Sequence, residues 1–263
     1  MKILILGRTS SLSKEFALYL KKKNILHKVE SLDKFLKLDK KKIESFNCVI
    51  NFCIHKTYLV KTYDKKYDLD FKVIEKIKNL KIKFIMLSSS KVYHPKEKIS
   101  ENSKKSPFTT YGKNKLITEK KVTKLIKNYL ILRLSNIITR KKLKSKNSVT
   151  NTFFDIVRNN LMKKKIVFSK FNGYKDFLFF DDFCKLLLLS IKKNLKGIYN
   201  LSSNNKVELK KLAYLISKIT NFKVTFNDSK TDSFILNNYK LFKKLKFNQN
   251  LKKVNLSNIK KIL

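Results

Sequence analysis

Four short, mainly apolar runs constrain this chain more than anything else in it: Lys2-Ile-Leu-Ile-Leu6, Asn47 to Ile54, Ile82 to Leu87 and Tyr129 to Leu134. Each is too short for a helix that buries one face, and none alternates apolar with polar residues. Each therefore reads as a parallel strand covered on both sides. A weaker strand signal surrounds His27 to Leu32. Helical patterns separate the runs: Lys14 to Lys23 puts Phe16, Ala17 and Leu20 on one face, Asp68 to Asn79 follows a polar and aromatic tract, and another helix starts at Tyr111. Regular alternation of strand and helix predicts an α/β fold of the Rossmann type, a doubly wound parallel sheet.

The third run ends in three serines, Ser88, Ser89 and Ser90, and a polar loop leads from there to Tyr111-Gly-Lys-Asn-Lys115. Tyr111 and Lys115 stand at i and i+4 and share a helix face, so hydroxyl, phenol and ammonium can converge at the carboxyl end of a strand. The spacing alone is weak, because Tyr19/Lys23, Tyr214/Lys218 and Tyr239/Lys243 share it. Tyr111 differs in following a strand that ends in a serine cluster.

A nucleotide site is predicted at the first turn. Gly7-Arg-Thr-Ser-Ser-Leu-Ser13 joins the first strand to the first helix, where backbone N–H groups and a helix N-terminus face a pyrophosphate. Measured against a Gly-x-x-Gly-x-x-Gly spacing the chain offers Gly7, Ser10 and Ser13, with Ser11 and Leu12 between them. An ordinary strand-to-helix turn is the competing reading. Asp33, about twenty residues further on, is placed to accept from adenosine ribose hydroxyls, which favours NAD; the adjacent Lys34 leaves NADP open. Leu38-Asp39 is placed near the adenine. Asn51 and Cys53, at the end of the second run, face the same crevice.

The formal charge of +43 raises nucleic acid as a partner. Only Arg8, Arg133, Arg140 and Arg158 among the 62 basic residues are arginines, and the lysines run through every segment. Base readers favour arginine's bidentate fork, so the excess reads as codon bias and not as a nucleic-acid site. Cys48, Cys53 and Cys184 and the isolated His27, His55 and His94 have no ligand spacing, which predicts no metal site. Three unpaired cysteines and the lack of a signal-peptide pattern point to the cytoplasm. The apolar stretch from Phe177 to Ile191 is broken by Asp181, Asp182 and Lys185, so no membrane span is predicted.

In order along the chain, Ser-Ser-Ser-Lys-Val-Tyr93, Tyr111-Gly-Lys-Asn-Lys115, Leu132-Arg-Leu-Ser-Asn136, Tyr174-Lys-Asp-Phe-Leu-Phe-Phe-Asp-Asp182 and Gly197-Ile-Tyr-Asn-Leu-Ser-Ser203 resemble the motifs of the extended short-chain dehydrogenase/reductases. This is the nucleotide-sugar epimerase, dehydratase and reductase group. The resemblance implies Ser89, Tyr111 and Lys115 as catalytic residues, Lys115 also holding the nicotinamide ribose. It implies a nucleotide-sugar substrate touched by Ser89 and Ser90, with Asn136, Arg140 and Lys175 as anion contacts. Asp176, Asp181 and Asp182 are expected to cap a helix beginning at Phe183. Residues 1–140 are expected to form the NAD(P)-binding domain, and residues 141–263 mainly a small C-terminal α/β substrate-binding lobe with segments interleaved into the first. A homodimer through helices at Tyr58 to Asn79 and Tyr111 to Lys127 is left open by the shortness of the first.

The departures carry information too. Two fingerprint glycines are serines, and Ile137-Ile138-Thr139-Arg140 stands where the family has Gly-Pro. Ser90-Lys91 replaces the Asp-Glu pair that supplies acid and base in the family's 4,6-dehydratases, which argues against water elimination. The expected activity is therefore 4-keto reduction or epimerisation, with a non-catalytic dinucleotide-binding sensor or scaffold as the alternative.

Overall fold

Ile3, Leu4, Ile5 and Leu6 are fully buried, as a strand flanked on both faces must be. The computed structural model describes residues 1–139, 153–163, 166–168, 172–226 and 232–263. Along the chain come β1 (Lys2–Leu6), α1 (Ser11–Lys22), β2 (Leu26–Glu30), α2 (Leu32–Leu36), α3 (Lys40–Glu44), β3 (Cys48–Asn51), α4 (Lys56–Val60), α5 (Leu69–Ile77), β4 (Lys83–Ser89), β5 (Lys96–Ile99), α6 (Thr110–Leu125) and β6 (Tyr129–Leu134). There follow β7 (Asn136–Ile138), α7 (Phe153–Met162), β8 (Ile166–Phe168), β9 (Tyr174–Phe179), α8 (Phe180–Lys192), β10 (Gly197–Leu201), β11 (Lys206–Glu208), α9 (Leu209–Thr220), β12 (Val224–Phe226), β13 (Phe234–Leu236), α10 (Tyr239–Leu245) and α11 (Leu256–Lys260).

Six of these strands form one all-parallel sheet in the order β10-β6-β4-β3-β1-β2. The order reverses between β1 and β3, so their carboxyl ends open a crevice, the usual ligand position in such sheets. Apolar cores fill both faces: Phe16, Leu20, Phe183 and Leu187 pack on one, Phe35, Val73, Ile74 and Val122 on the other. A second sheet runs β11-β9-β13-β5, with β7 also paired to β9.

Several local readings are corrected. β2 ends at Glu30 because the Ser31 hydroxyl accepts from Lys34 N and starts α2, which places Asp33 in that helix's first turn. The serine-to-tyrosine segment read as a polar loop contains β5, which pairs in parallel with β13. α8 begins at Phe180 instead of Phe183, with no side-chain cap at Phe179. Asp176 caps nothing; it is fully buried and ties strands together, one carboxylate oxygen accepting from Ser203 N and Oγ at 3.1 and 2.7 Å, the other from Leu236 N at 3.3 Å.

Candidate functional site

The site grows from the end of β4. Ser88 faces inward and donates to Glu119 Oε1 at 2.5 Å, while Ser89 turns outward and Ser90 opens a short 3-10 turn over Ser90–Val92. The Ser89 hydroxyl accepts from Lys91 N at 3.2 Å, which fixes where this turn leaves the strand. α6 then passes close by. Thr109 caps it by accepting from Gly112 N at 3.1 Å. A Cβ added at Gly112 would lie 2.1 Å from the Lys91 carbonyl oxygen, so only glycine lets the helix approach the serine turn this closely.

Beneath the turn a buried network locks the elements together. Arg133 on β6 is 2% exposed and forms a forked pair with Glu119 of α6, Nη2 to Oε2 at 2.6 Å and Nε to Oε1 at 3.0 Å. Its Nη1 donates to the Tyr93 hydroxyl at 2.6 Å, and that hydroxyl donates to Asn200 on β10 at 2.9 Å. Paired charge with every arm satisfied is the condition under which a buried guanidinium is tolerated.

Tyr111 is half-buried and Lys115 is buried. The Tyr111 ring meets Tyr58 edge-on at 6.4 Å between centroids, and Lys115 Nζ lies 5.7 Å from the Tyr58 ring centre. Burial pushes the Tyr111 phenol above its ordinary pKa, Asp70 adds to this, and Lys115 and the Ser89 hydroxyl pull against it. Sequence reasoning missed Asp70. Its Oδ2 receives Lys115 Nζ at 2.8 Å, both side chains being at most 5% exposed, and its Oδ1 receives Asn51 Nδ2 at 2.8 Å. That pair raises the Lys115 pKa against the effect of burial. The Asp-x-Asp start of the α5 pattern is visible in the sequence, but nothing in it links Asp70 to a lysine 45 residues on.

Asn51 is committed to this chain of contacts, since its Oδ1 also accepts from Cys53 N at 2.9 Å. Cys53 lines a pocket with His55, Tyr58, Tyr67, Asp70 and Lys115, and burial pushes its thiol up to about 12.

At the first turn Gly7 has φ +120°, and a Cβ there would approach Phe52 Cβ to 3.2 Å, so the turn needs glycine. Ser10 is the N-cap of α1 with no capping bond from its hydroxyl. Ser11 and Leu12 open the helix, where amide N–H groups have no intrahelical acceptor. Ser13 is fully buried and donates to the carbonyls of Gly7 and Ser10, so its hydroxyl braces the turn from behind. These residues fit a dinucleotide phosphate bound through backbone and Ser10. Asp33 lies in the first turn of α2, near enough to Cys53 to help raise its thiol pKa. Asp39 caps α3 by accepting from Lys42 N at 2.7 Å.

Of the residues expected as anion contacts, Asn136 donates to the Asp176 carbonyl at 3.0 Å and Lys175 lies on β9 opposite Val207. Arg140 lies outside the described residues. Among the described residues no cluster of three or more His, Cys, Asp or Glu could hold a metal, and no helix is long and apolar enough to cross a membrane.

Solved structures share this architecture. An NAD-dependent NDP-hexosamine 5,6-dehydratase of tunicamycin biosynthesis superposes with TM-score 0.81 at 13% identity, over 99% of this chain and 96% of that one. RMD from Pseudomonas aeruginosa complexed with NADPH gives 0.77 at 15%, over 100% and 98%. The UDP-glucuronic acid 4-epimerase from Bacillus cereus in complex with NAD gives 0.76 at 18%, over 100% and 97%. No curated protein sequence matches the chain. The sequence does match the NAD dependent epimerase/dehydratase family over residues 3–202, the span that holds the first turn, the serine end of β4 and the Tyr111–Lys115 helix, and the chain belongs to that family.

Proposed function

We propose that this chain is an NAD(P)-dependent enzyme acting on a nucleotide-activated sugar, as a 4-keto reductase or an epimerase. The observation that carries the reading is the meeting of Ser89, Tyr111 and Lys115 at the carboxyl end of β4, beside the crevice between β1 and β3. When bound, the nicotinamide cofactor supplies hydride chemistry. Gly7, Ser10, Ser11, Leu12 and the start of α1 hold its phosphates, Asp33 its adenosine ribose, and Lys115 its second ribose. Tyr111 gives a proton to the sugar oxygen in reduction, or takes one in oxidation. Ser89 donates to the same oxygen and fixes its position, an effect worth most in the transition state. Asn136, Lys175 and Arg140 are the anion contacts for the nucleotide diphosphate. Asp33 favours NAD over NADP, and neighbours complexed with either cofactor support this cofactor class. Ser90 and Lys91 offer no carboxyl group for the acid and base of water elimination, which argues against a dehydratase.

The test is titration with NADH and NADPH, followed by turnover on a panel of nucleotide-linked sugars and 4-keto sugars. A reductase consumes NADH in step with substrate; an epimerase converts substrate without net consumption. Tyr111→Phe is expected to bind cofactor normally and lose at least about 100-fold in turnover. Cofactor binding without turnover of any sugar would select a sensor or scaffold, a reading favoured by the serine that fills the back of the first turn. No cofactor binding at millimolar concentration would refute both.

A further inference from the structure

We propose that Asp70 is a positioning residue that keeps the second proton on the Tyr111–Lys115 pair, so that the resting site is loaded with a proton to give. The inference rests on the reading of Tyr111 as the proton-transfer group and adds the residue that sets its resting state.

The geometry is that of a fixed counter-ion. Asp70 Oδ2 lies 2.8 Å from Lys115 Nζ with both side chains buried, and Asn51 Nδ2 holds the other carboxylate oxygen at 2.8 Å. Tyr111 and Lys115 titrate as a coupled pair whose protons leave in macroscopic steps. A lysine alone would favour loss of the phenol proton, because ammonium beside phenolate is an attractive arrangement. A carboxylate against that lysine reverses the preference. It holds the ammonium charged and cancels much of the field that would draw out the phenolate, so whichever group gives up the first proton, the step is moved to higher pH.

Asp70 is the carboxylate in ion-pair contact with Lys115, and the other groups packed around the pair are bonded elsewhere. From α4, Tyr58 keeps its proton above the ordinary range and shares its hydroxyl with Thr118 at 2.7 Å. Asp68, before α5, accepts from Thr118 Oγ1 at 2.6 Å, Tyr63 at 2.9 Å and Phe71 N at 2.9 Å, and burial together with Asp70 raises its pKa. After β3, the Cys53 thiol is pushed up to about 12, and His55 Nδ1 accepts from Thr57 N. The end of β4 contributes the neutral Ser89 hydroxyl. A phenol kept protonated is what the oxygen of a carbonyl undergoing reduction requires, so the arrangement assigns carbonyl reduction as the direction for which the resting site is set.

Tyrosinate absorbance measured against pH in wild type, with the Tyr111→Phe titration subtracted, isolates residue 111 and needs neither cofactor nor substrate. The expected result is no ionisation of Tyr111 below about pH 10, the ordinary tyrosine value. A midpoint below pH 9 would overturn the proposal, and this arm stands even if no Asp70 variant folds. In Asp70→Asn the first proton should leave the pair about 1–3 pH units lower. It would be read as earlier tyrosinate absorbance or, where the ammonium releases it, as an earlier alkaline limb in the pH profile of kcat/KM. Asp70→Glu should restore the wild-type values. Both readouts within about 0.3 unit of wild type in a folded Asp70→Asn would also overturn it. A protein that binds no NADH would refute the proposed function and leave this titration able to decide the role of Asp70.

Discussion

Replacing Gly112 by alanine tests the closest backbone approach in the site. The added methyl would sit 2.1 Å from the Lys91 carbonyl oxygen, 2.8 Å from its carbon and 3.0 Å from Pro107 Cβ. Two of these three atoms are backbone, so no side-chain rotation relieves the clash. Real Cβ atoms do not come closer than 3.0 Å to such neighbours, which means that α6 and the serine turn must separate by roughly 1 Å. Tyr111 precedes Gly112 on α6 and Ser89 precedes the turn, so the separation falls between the phenol and the hydroxyl. Misplacement of about 1 Å between reacting groups costs on the order of 100-fold in rate. Overpacking of this kind costs about 1–3 kcal/mol, and in a chain of this size each kcal/mol lowers Tm by roughly 2–4 °C, so a fall of about 2–12 °C is expected. Thermal unfolding by circular dichroism and turnover on the preferred sugar would measure both effects, with Lys113→Ala on the exposed side of the same helix as control. If Gly112→Ala kept both the wild-type Tm and the wild-type kcat, the close contact would be shown not to set the Ser89–Tyr111 geometry.

Two further outcomes concern the buried network and the second sheet. Arg133→Met should destabilise the fold by about 3–5 kcal/mol in urea, because it leaves Glu119 charged and buried without its partner, and Arg133→Met combined with Glu119→Leu should recover much of the loss. Burial raises the Asp176 carboxyl from 3.8 to about 6, so the folded state binds its proton before the unfolded chain does. Its stabilising contribution is complete below the lower value and disappears as pH rises through the upper one. Wild type should therefore gain up to about 3 kcal/mol relative to Asp176→Asn between pH 7 and pH 4 in urea midpoints, and a pH-independent difference would refute the shift.

The strands of the large sheet were readable because β1, β3, β4 and β6 are buried on both faces and are therefore mainly apolar, with Lys83, Asn51 and Arg133 as buried exceptions. The proposed set of Ser89, Tyr111 and Lys115 was drawn from a different signal: three residue types suited to proton transfer at a strand end and on one helix turn, with the surrounding motifs in order. β5 was not readable. Lys-Glu-Lys-Ile after Pro95 buries only Ile99, and its pairing with β13 depends on residues far along the chain. Asp70 was hidden because an acid in the first turn of a helix usually serves that helix alone. Asp39, the N-cap residue of α3, likewise spends its carboxylate on its own helix. Asp176 looked like a helix cap because it stands near one in sequence, whereas a fully buried carboxylate goes to whichever unpaired N–H groups the strands leave.

The pairing of β5 with β13 has a consequence for synthesis. Ile99 leaves the ribosome about 135 residues before its strand partner Leu236, and at about 5–20 residues per second that gap lasts on the order of ten seconds. Tyr93, next to the serine turn, likewise waits for Asn200 on the last strand of the large sheet. The first turn, between β1 and α1, is braced by the bonds that Ser10 and Ser13 make to Gly7 and needs only elements from the first part of the chain, so it can close early. The candidate site at the end of β4 cannot complete its supports until nearly the whole chain has emerged, so a nascent chain can form its first turn well before that site is braced.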